Sequence, residues 1–242
     1  MRLPRIYSAQ ALSSGESLTL DSNATRHLVQ VLRLKAGNAI ILFDGSGNDF
    51  SASISLANKR ECIVQIDEVV RHEQSCKLSL HLAIGISRGE RMDFSIQKAV
   101  ELGVQSITPL FTERCMVQLK GERLKNRLTH WQGVVHHACE QSGRSLVPQI
   151  HTAQPLNSWL ERLTGTSLIL DHRAEDTLAT IEKPEHALTL LVGPEGGLST
   201  VERQQATRQG MLSIRLGPRV LRTETAPLAA LAAIQMLWGD FR

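Results

Sequence analysis

Two short loops near the end of the chain hold the residues that are best suited to chemistry. The first loop, residues 193–197, reads Gly-Pro-Glu-Gly-Gly, and the second, residues 216–226, carries an Arg-Thr-Glu-Thr run at 222–225. Glycines leave the backbone uncovered, so a ligand is able to approach the N–H groups closely. Neither loop has the Gly-Lys-Ser/Thr of a P-loop or the Gly-x-Gly-x-x-Gly of a dinucleotide site. The loops therefore predict a ligand pocket of another kind, with tight turns that hold no ligand as the alternative.

Each loop is expected to lie between a strand and a helix. The apolar runs 186–192 and 211–216 predict buried strands. Ser199 and Glu202 have the spacing of a capping box, which predicts a helix after the first loop. Thr225 is expected to cap the helix after the second loop. Two consecutive strand–loop–helix units predict a parallel sheet with a ligand crevice at the carboxyl ends of its strands.

The remaining chain divides into two regions of different pattern. Residues 1–72 contain several short strand-like runs, one helix-like segment at 25–34 and a turn at 44–49 that predicts a hairpin. This pattern predicts a small β-barrel. From residue 73 to residue 242, strands and helices alternate, which predicts an α/β domain.

Composition bounds the class of protein without settling its function. The net charge is +3 and the pI is about 8.8, which is compatible with nucleic-acid binding. Four cysteines without a Cys-x-x-Cys pair fit a reducing compartment and argue against a structural zinc. The N-terminus shows no apolar signal core, and the longest apolar segment, 227–238, is too short to span a bilayer. We expect a soluble, cytoplasmic protein without membrane contact.

The sequence places four potential metal ligands close together, at His136, His137, Cys139 and Glu140. On a helix, His136 and Glu140 share a face, but Cys139 pairs with neither of them well. No second group of ligands with metal spacing occurs elsewhere in the sequence. We therefore expect no metal site and assign both histidines to the helix surface or to packing.

The two loops together closely resemble the SPOUT superfamily of methyltransferases. The motifs are Gly193-Pro194-Glu195-Gly196-Gly197 and Leu216-Gly217-x-x-x-Leu221-Arg222-Thr223-Glu224-Thr225-Ala226. Within this superfamily the chain resembles the ribosomal RNA small subunit methyltransferase E family, which methylates N3 of one uridine in small-subunit (16S) ribosomal RNA. The resemblance covers almost the whole chain and includes Arg5-Ile6-Tyr7, residues 98–103 and Glu140-Gln141-Ser142-x-Arg144. Leu198 departs from the family, which more often has an aromatic residue there.

The resemblance implies a fold and a set of ligands. The fold is a PUA-like, RNA-binding β-barrel at residues 1–72, followed by a SPOUT domain at residues 73–242 whose C-terminal trefoil knot forms the cofactor pocket. The implied cofactor is S-adenosyl-L-methionine, and the implied partner is 16S ribosomal RNA or the small ribosomal subunit. The residues expected to bind the cofactor are Leu170, Gly193, Pro194, Glu195, Gly196, Gly197, Leu216, Gly217, Leu221, Arg222, Thr223, Thr225 and Ala226.

The resemblance also favours a homodimer through the C-terminal domain. The apolar segment 227–238 carries Leu228, Leu231, Ala232 and Gln235 at helical spacing, with several alanines that permit close helix approach. The alternative is that this face packs only on its own sheet.

Methylation of uridine N3 requires removal of the imide proton and stabilisation of the resulting negative charge. Arg222 offers the cation, and Glu224 is expected either to accept the proton or to orient Arg222. The alternative is that the two side chains pair with each other and only hold the shape of the loop. A base inside an RNA structure is out of reach, so the target uridine is expected to be unstacked or flipped.

Basic residues along the chain are candidates for contact with RNA. Arginine suits bidentate recognition of phosphate. The alternatives are an ordinary solvated surface, a surface ion pair between Lys98 and Glu101, and a helix-dipole role for Arg144. Glu195 is expected to contact cofactor or to cap its own loop. The candidate RNA-binding residues are Arg5, Arg26, His27, Arg33, Lys98, Arg114 and Arg144.

Two other functions remain open at this stage. One is a SPOUT methyltransferase that acts on a ribose 2′-hydroxyl or on another RNA. The other is a non-catalytic RNA-binding module that retains the pocket, although such a module need not keep the Arg-Thr-Glu-Thr run.

Overall fold

A computed structural model of the chain describes residues 3–117 and 119–241. The chain divides into two compact units. The first comprises residues 1–75 together with 136–147, and the second comprises residues 76–135 together with 148–242. Among the described residues, no helix is long and apolar enough to cross a membrane.

The first unit is built on a five-stranded sheet in the order β1-β3-β4-β5-β2. Strands β3 and β4 form the predicted antiparallel hairpin, and β1 pairs with β3 in parallel. Apolar side chains from alternate strand positions, such as Ile40, Leu42, Ile54 and Val64, form the buried core of this unit. The strands are β1 Arg5–Tyr7, β2 Ser17–Thr19, β3 Ala39–Phe43, β4 Asn48–Ala57 and β5 Cys62–His72.

The helical segment of this unit begins earlier than the sequence predicts. Helix α1 spans Ser22–Thr25 and continues as a π-helix over Arg26–Val31. The early start has a local cause, because the Asp21 carboxylate accepts hydrogen bonds from the first backbone N–H groups of α1. Arg33 follows with φ of 56°, a left-handed conformation that is uncommon for a residue with a side chain.

Residues 136–147 belong to the first unit, whereas the sequence assigned them to the second domain. The reason lies at Asp49, whose side chain is only 5% exposed and pairs with Arg5 at 2.6 Å and with Arg71 at 2.9 Å. The hydroxyl of Ser145 donates to the same carboxylate. Burial favours a raised pKa for Asp49, but the hydrogen bonds and charges of these partners outweigh it, and the pKa is lowered. Ser145 lies 96 residues after Asp49, and its hydrogen bond to the buried carboxylate attaches residues 136–147 to this unit.

The second unit contains the predicted parallel sheet, in the order β12-β10-β11-β6-β7-β8, with β9 pairing with β7. All the strand pairs of this sheet are parallel. The central strands β6 and β11 are largely buried, as strands of parallel sheets usually are. The strands are β6 Ser79–Gly85, β7 Ser106–Phe111, β8 Gln149–Ile150, β9 Gln154–Pro155, β10 Thr166–Leu170, β11 Ala187–Val192 and β12 Leu212–Ile214.

The helices of the chain after α1 are α2 Glu90–Glu101, α3 Gly121–Ser142, α4 Leu156–Leu160, α5 Thr200–Arg208 and α6 Thr225–Trp238, with a 3-10 turn at Leu178–Thr180. Helix α5 starts at the predicted capping box. Ser199 Oγ accepts from Glu202 N, and the Glu202 carboxylate accepts from Ser199 N. The capping box of α5 is therefore confirmed.

The prediction that Thr225 caps α6 is wrong. Thr225 is the first residue of the helix, and Glu224 at the N-cap position makes no side-chain capping bond. Glu224 already has helical dihedral angles, and the carbonyl of Arg222 accepts from the N–H groups of Thr225 and Ala226 at 2.9 Å each. The turn that begins the helix therefore starts at Arg222.

Part of the face of α6 that the sequence assigned to a dimer lies inside the second unit. Leu231 and Gln235 are fully buried. Gln235 Nε2 donates to the carbonyl of Leu102 at 2.9 Å, and its Oε1 accepts from Asp240 N at 3.2 Å. These residues anchor α6 to the end of α2 and are not available to a partner subunit. The exposed apolar side chains at the end of α6 are Met236 and Leu237.

Candidate active site

A pocket of about 510 Å³ lies at the carboxyl ends of three neighbouring strands. The last residues of β10, β11 and β12, which are Leu170, Val192 and Ile214, form its floor. The two loops that follow β11 and β12 form much of its walls. The location agrees with the crevice that the strand–loop–helix pattern predicts.

Most residues that the sequence predicts for the pocket do line it. They are Leu170, Gly193, Pro194, Glu195, Gly196, Gly197, Leu216, Leu221, Arg222, Thr223, Glu224 and Ala226. Gly217 and Thr225 are not among the lining residues. Gly217 takes a positive φ of 73° in the turn after β12, and Thr225 lies at the start of α6.

The pocket also contains residues that sequence reasoning did not assign to it. Arg91 comes from the start of α2, far from both loops in the sequence, so no local pattern could have revealed it. Asp171, His172 and Arg173 directly follow β10, and their position after a strand was the signal that could have found them. The other missed residues are Arg114, which the sequence assigned only to RNA, and Val192, Leu198, Arg203, Ile214, Arg215, Arg219 and Val220.

Glycines in and beside the first loop permit close packing of backbone segments. A Cβ atom on Gly85, at the end of β6, would lie 2.5 Å from Pro194 Cδ, which is too close for any real contact. A Cβ on Gly196 would lie 2.9 Å from the Cβ of Arg114. The glycine-rich composition therefore serves the packing of this loop against its neighbours, in addition to exposing its backbone to a ligand.

Hydrogen bonds fix the two loops to each other and to the sheet. Thr223 Oγ1 in the second loop donates to the carbonyl of Gly193 in the first at 2.8 Å. Arg114 Nη1 donates to the carbonyl of Gly196 at 3.1 Å. Glu202, a buried residue of α5, accepts from Glu113 N at 2.7 Å. The pocket walls are thus held by contacts from four separate parts of the chain.

Glu195 connects the first loop to the segment between β6 and α2. Its Oε1 atom accepts from Arg88 N at 2.9 Å and from Arg91 Nη1 at 3.3 Å. Burial favours a raised pKa for Glu195, but these hydrogen bonds and the charge of Arg91 outweigh it and leave the pKa lowered. The carboxylate is therefore ionised at neutral pH and links two loops, a role that the sequence did not suggest.

Arg222 and Glu224 both line the pocket, but they are not an ion pair with each other. The cation that approaches Glu224 is Arg91, whose Nε lies 4.0 Å from Glu224 Oε2. The Arg222 side chain is exposed and has no ion-pair partner within residues 3–117 and 119–241. The interpretation that these two residues merely hold each other in place therefore has no support in the geometry.

The pocket carries an excess of cationic side chains. Its acidic residues are Asp171, Glu195 and Glu224, and Asp171 is paired with Arg203 at 3.1 Å. This balance of charge suits an anionic ligand beside the pocket. The arginines that line it are Arg91, Arg114, Arg173, Arg203, Arg215, Arg219 and Arg222.

The candidate RNA-binding residues fall into two groups. Arg5 is only 7% exposed and pairs with Asp49, so its guanidinium is occupied inside the first unit. Arg144 is 13% exposed and lies 3.7 Å from Glu73, and Lys98 forms the surface pair with Glu101 at 2.7 Å. Burial and these partners argue against phosphate contact by Arg5 and Arg144. Arg26, Arg33 and Arg114 are exposed, and His27 is half-buried.

The His136 cluster has a packing role. The His136 ring stacks on Tyr7 with centroids 3.8 Å apart, and burial lowers the pKa of His136 to about 4. Burial also raises the pKa of Cys139 to about 12, so this thiol keeps its proton at neutral pH. Within the described part of the chain, no group of three or more His, Cys, Asp or Glu side chains is arranged to hold a metal ion.

Comparison with known families accounts for both units. The family model described as an RNA methyltransferase domain matches residues 74–235, and the model described as an RNA methyltransferase PUA domain matches residues 20–67. The second match agrees with the expected PUA-like domain near the N-terminus.

Relatives and solved structures match over the full length. The ribosomal RNA small subunit methyltransferase E of Buchnera aphidicola subsp. Schizaphis graminum is 35% identical, over 99% of this chain and 98% of its own. The same enzyme from Neisseria gonorrhoeae, crystallised with bound S-adenosyl methionine, is 41% identical with a TM-score of 0.92 and full coverage of both chains. A Legionella pneumophila protein solved with bound SAM is 37% identical with a TM-score of 0.96, again with full coverage of both chains. On this evidence the chain belongs to the RNA methyltransferases of the ribosomal RNA small subunit methyltransferase E family.

Proposed function

We propose that the protein transfers a methyl group from S-adenosyl-L-methionine to N3 of a specific uridine in small-subunit (16S) ribosomal RNA. The observation that carries the proposal is the pocket at the ends of β10, β11 and β12, enclosed by the two signature loops and surrounded by arginines. The structure from Neisseria gonorrhoeae, with S-adenosyl methionine bound, supports this choice of cofactor.

The pocket offers what such a cofactor needs. Its volume of about 510 Å³ falls within the usual range for small-molecule sites. Leu170, Ile214 and Leu216 supply apolar surface for a purine ring, and the loop backbones supply polar groups. When bound, S-adenosylmethionine supplies an activated methyl group.

We also propose that the second unit is knotted. In this arrangement the C-terminal chain, including the second loop, passes through a loop of the same unit as a trefoil knot. Support comes from the SPOUT-like motifs of the two loops. Tracing the chain in an experimental density map would check the path.

The chemistry of N3 methylation assigns roles to the two charged residues of the second loop. The uridine N3–H proton has to leave, and the negative charge that develops over N3, O2 and O4 has to be stabilised. We assign the charge stabilisation to Arg222, whose guanidinium has no ion-pair partner among the described residues. We assign proton acceptance to Glu224, which lies two residues away in the same loop and lines the same pocket.

The proposed activity is tested by nucleoside analysis. Ribosomal RNA from a strain that lacks the protein should lose N3-methyluridine in the small subunit, and the gene on a plasmid should restore it. Loss of a ribose-methylated nucleoside instead would favour the 2′-hydroxyl alternative. Unchanged nucleosides would refute the methyltransferase proposal.

The first prediction concerns the cofactor pocket. A Gly196→Val substitution should lower the affinity for S-adenosylmethionine at least about tenfold, because its side chain has to displace Arg114 and reshape the loop. Isothermal calorimetry measures this affinity. The matched control is Gly133→Val in α3, where a Cβ meets no atom within 4 Å. Equal affinities for both variants and the wild type would refute the placement of the cofactor.

The second prediction concerns catalysis. Arg222→Ala should reduce kcat by about 10²–10³, the typical cost of losing one group that stabilises charge in the transition state. Affinity for the cofactor and thermal stability should change little, since the Arg222 side chain is exposed and has no ion-pair partner among the described residues. The control is Arg208→Ala at the exposed end of α5.

For Glu224, the same assay is followed across pH. A Glu224→Gln enzyme should be slow at neutral pH and should recover as the pH rises, because uridine then loses its proton unaided. Wild-type rates for Glu224→Gln at every pH would remove this residue from the mechanism. Joint loss of folding, binding and activity in Arg222→Ala would assign the loop a structural role.

The third prediction concerns RNA binding by the first unit. We propose that Arg26, His27 and Arg33 contact the RNA backbone, since they cluster at the π-helix and its strained end, and such irregular segments are frequent at functional sites. Arg26→Gln should weaken binding of small-subunit RNA and reduce the slope of its salt dependence by about 0.7–0.9. Arg60→Gln, on an exposed turn between β4 and β5, is the control. Identical salt slopes in all three proteins would exclude Arg26 from the interface.

The fourth prediction concerns assembly. We propose a homodimer through the second unit, now placed on the exposed end of α6 rather than on the buried stripe with Leu231 and Gln235. Met236 and Leu237 are 58% and 44% exposed there and together form a small apolar surface that a partner subunit would cover. Sedimentation equilibrium should show a dimer at micromolar concentration and a Met236→Glu/Leu237→Glu variant that is shifted towards monomer. A wild-type protein that is monomeric and fully active would overturn the proposal.

A further inference from the structure

Arg91 approaches a carboxylate from each of the two loops that form the pocket. Its Nη1 lies 3.3 Å from Glu195 Oε1 in the first loop, and its Nε lies 4.0 Å from Glu224 Oε2 in the second. The side chains of Glu195 and Glu224 are 23% and 20% exposed, and that of Arg91 is 48% exposed. One guanidinium thus spans two segments that are close in space and belong to different parts of the chain.

The backbone around Arg91 is fixed against the first loop. Gly85 precedes this segment and packs directly on Pro194, and Arg88 N donates to the same Glu195 oxygen that Arg91 contacts. Arg91 itself lies in the first turn of α2. These contacts fix the backbone of Arg91 and leave its guanidinium within reach of both carboxylates.

Building on the proposed function, we propose that Arg91 is a positioning residue that holds the Glu224 carboxylate in its place beside the pocket by bridging it to Glu195. The planar guanidinium presents donors in more than one direction, so it is suited to serve two carboxylates at once. The ammonium group of a lysine is a compact point charge and serves two separated partners less well.

The bridge also explains why Arg222 is left for the substrate. If Arg222 and Glu224 formed an ion pair, Glu224 would partly neutralise the positive charge of Arg222, which we propose stabilises the negative charge on the uracil imide. Pairing of Glu224 with Arg91 leaves the Arg222 guanidinium without an ion-pair partner among the described residues. The two arginines therefore divide two tasks, one towards protein and one towards substrate.

A role in positioning differs in its consequences from a role in stability. Ion pairs that are this exposed contribute little to folding, so removal of Arg91 should leave the melting temperature nearly unchanged. A small displacement of a catalytic group has a large effect on rate, about 10²-fold for a shift of 1 Å. The signature expected of Arg91 is therefore a loss of kcat with little loss of stability or cofactor affinity.

The fifth prediction tests this signature. Methyl transfer to small-subunit RNA is measured for the wild type, Arg91→Met, Arg91→Lys and the control Arg208→Met, together with KM, S-adenosylmethionine affinity by calorimetry and melting temperature. Arg91→Met should lower kcat by about 10–100-fold. Arg91→Lys should recover part of this loss, because it restores the charge without the bridge. Arg208→Met should behave as the wild type.

A double-mutant cycle tests whether Arg91 acts through Glu224. If it does, Arg91→Met should slow a Glu224→Gln enzyme by less than about twofold, because the group that it positions has already lost its function. Fully multiplied effects of the two substitutions would overturn the proposal. Parallel losses of melting temperature, cofactor affinity and kcat in Arg91→Met would overturn it as well, since they mark a structural role.

Failure of this inference is distinguishable from failure of the proposed function. A wild-type protein that neither binds S-adenosylmethionine nor methylates RNA would refute the proposed function and the role of Arg91 with it. An active wild type with an equally active Arg91→Met variant would refute the positioning role alone.

Discussion

The pocket depends on backbone segments that meet without side chains between them. The end of β6 lies so close to the first loop that Gly85 has no room for a Cβ beside Pro194. Gly196 meets the main chain and side chain of Arg114 in the same way. Interiors packed at this density transmit any added volume as a displacement, so these two contacts fix where the loop lies. The hydrogen bonds of Thr223 to Gly193 and of Glu195 to Arg88 and Arg91 depend on that position.

Ion pairs then determine which charged side chains of the pocket have a partner within the protein and which remain available to a ligand. Asp171 is matched by Arg203, and Glu195 and Glu224 are matched by Arg91. The hydrogen bonds to Glu195 keep it ionised although burial acts in the opposite direction. Because the carboxylates have internal partners, the positive charge of the remaining arginines is not neutralised within the pocket. The resulting field favours an anionic substrate at the opening, as a nucleic-acid backbone is.

Local patterns in the sequence predicted much of this arrangement. The capping box at Ser199 depends on two residues three positions apart. The glycine-rich loops come directly after apolar strands in the sequence. Both features could therefore be predicted from short segments. The parallel sheet followed from the alternation of strands and helices. Half of the pocket lining could be named, mainly because those residues lie within the same two loops.

Contacts between distant segments were not readable in the same way. Arg91 and Glu195 are 104 residues apart, and nothing near either residue indicates the other. Arg5 looked like a surface cation by type, but it pairs with Asp49, 44 residues away, inside the first unit. The sequence placed Gln235 on an exposed helical face, whereas its side-chain amide is buried, donates to the carbonyl of Leu102 and accepts from Asp240 N. Arg5 and Gln235 were assigned outward, and Arg91 was given no role, because the partners of these side chains are visible only in the folded chain.

The backbone position of the second loop is fixed by helix α6, which follows it. The carbonyl of Arg222 accepts the first two hydrogen bonds of α6, so the loop is in effect the opening turn of that helix. Helix α6 is held by its buried side and by Gln235, whose amide has so little space around it that a Cβ on Gly103 would lie 2.3 Å from its Nε2. Because the Arg222 carbonyl is bonded to the first turn of α6, the buried side of the helix also fixes the position of the loop backbone. Flexible exposed side chains such as Arg222 therefore project from a backbone that has little freedom, and the loop needs few contacts of its own to keep its shape.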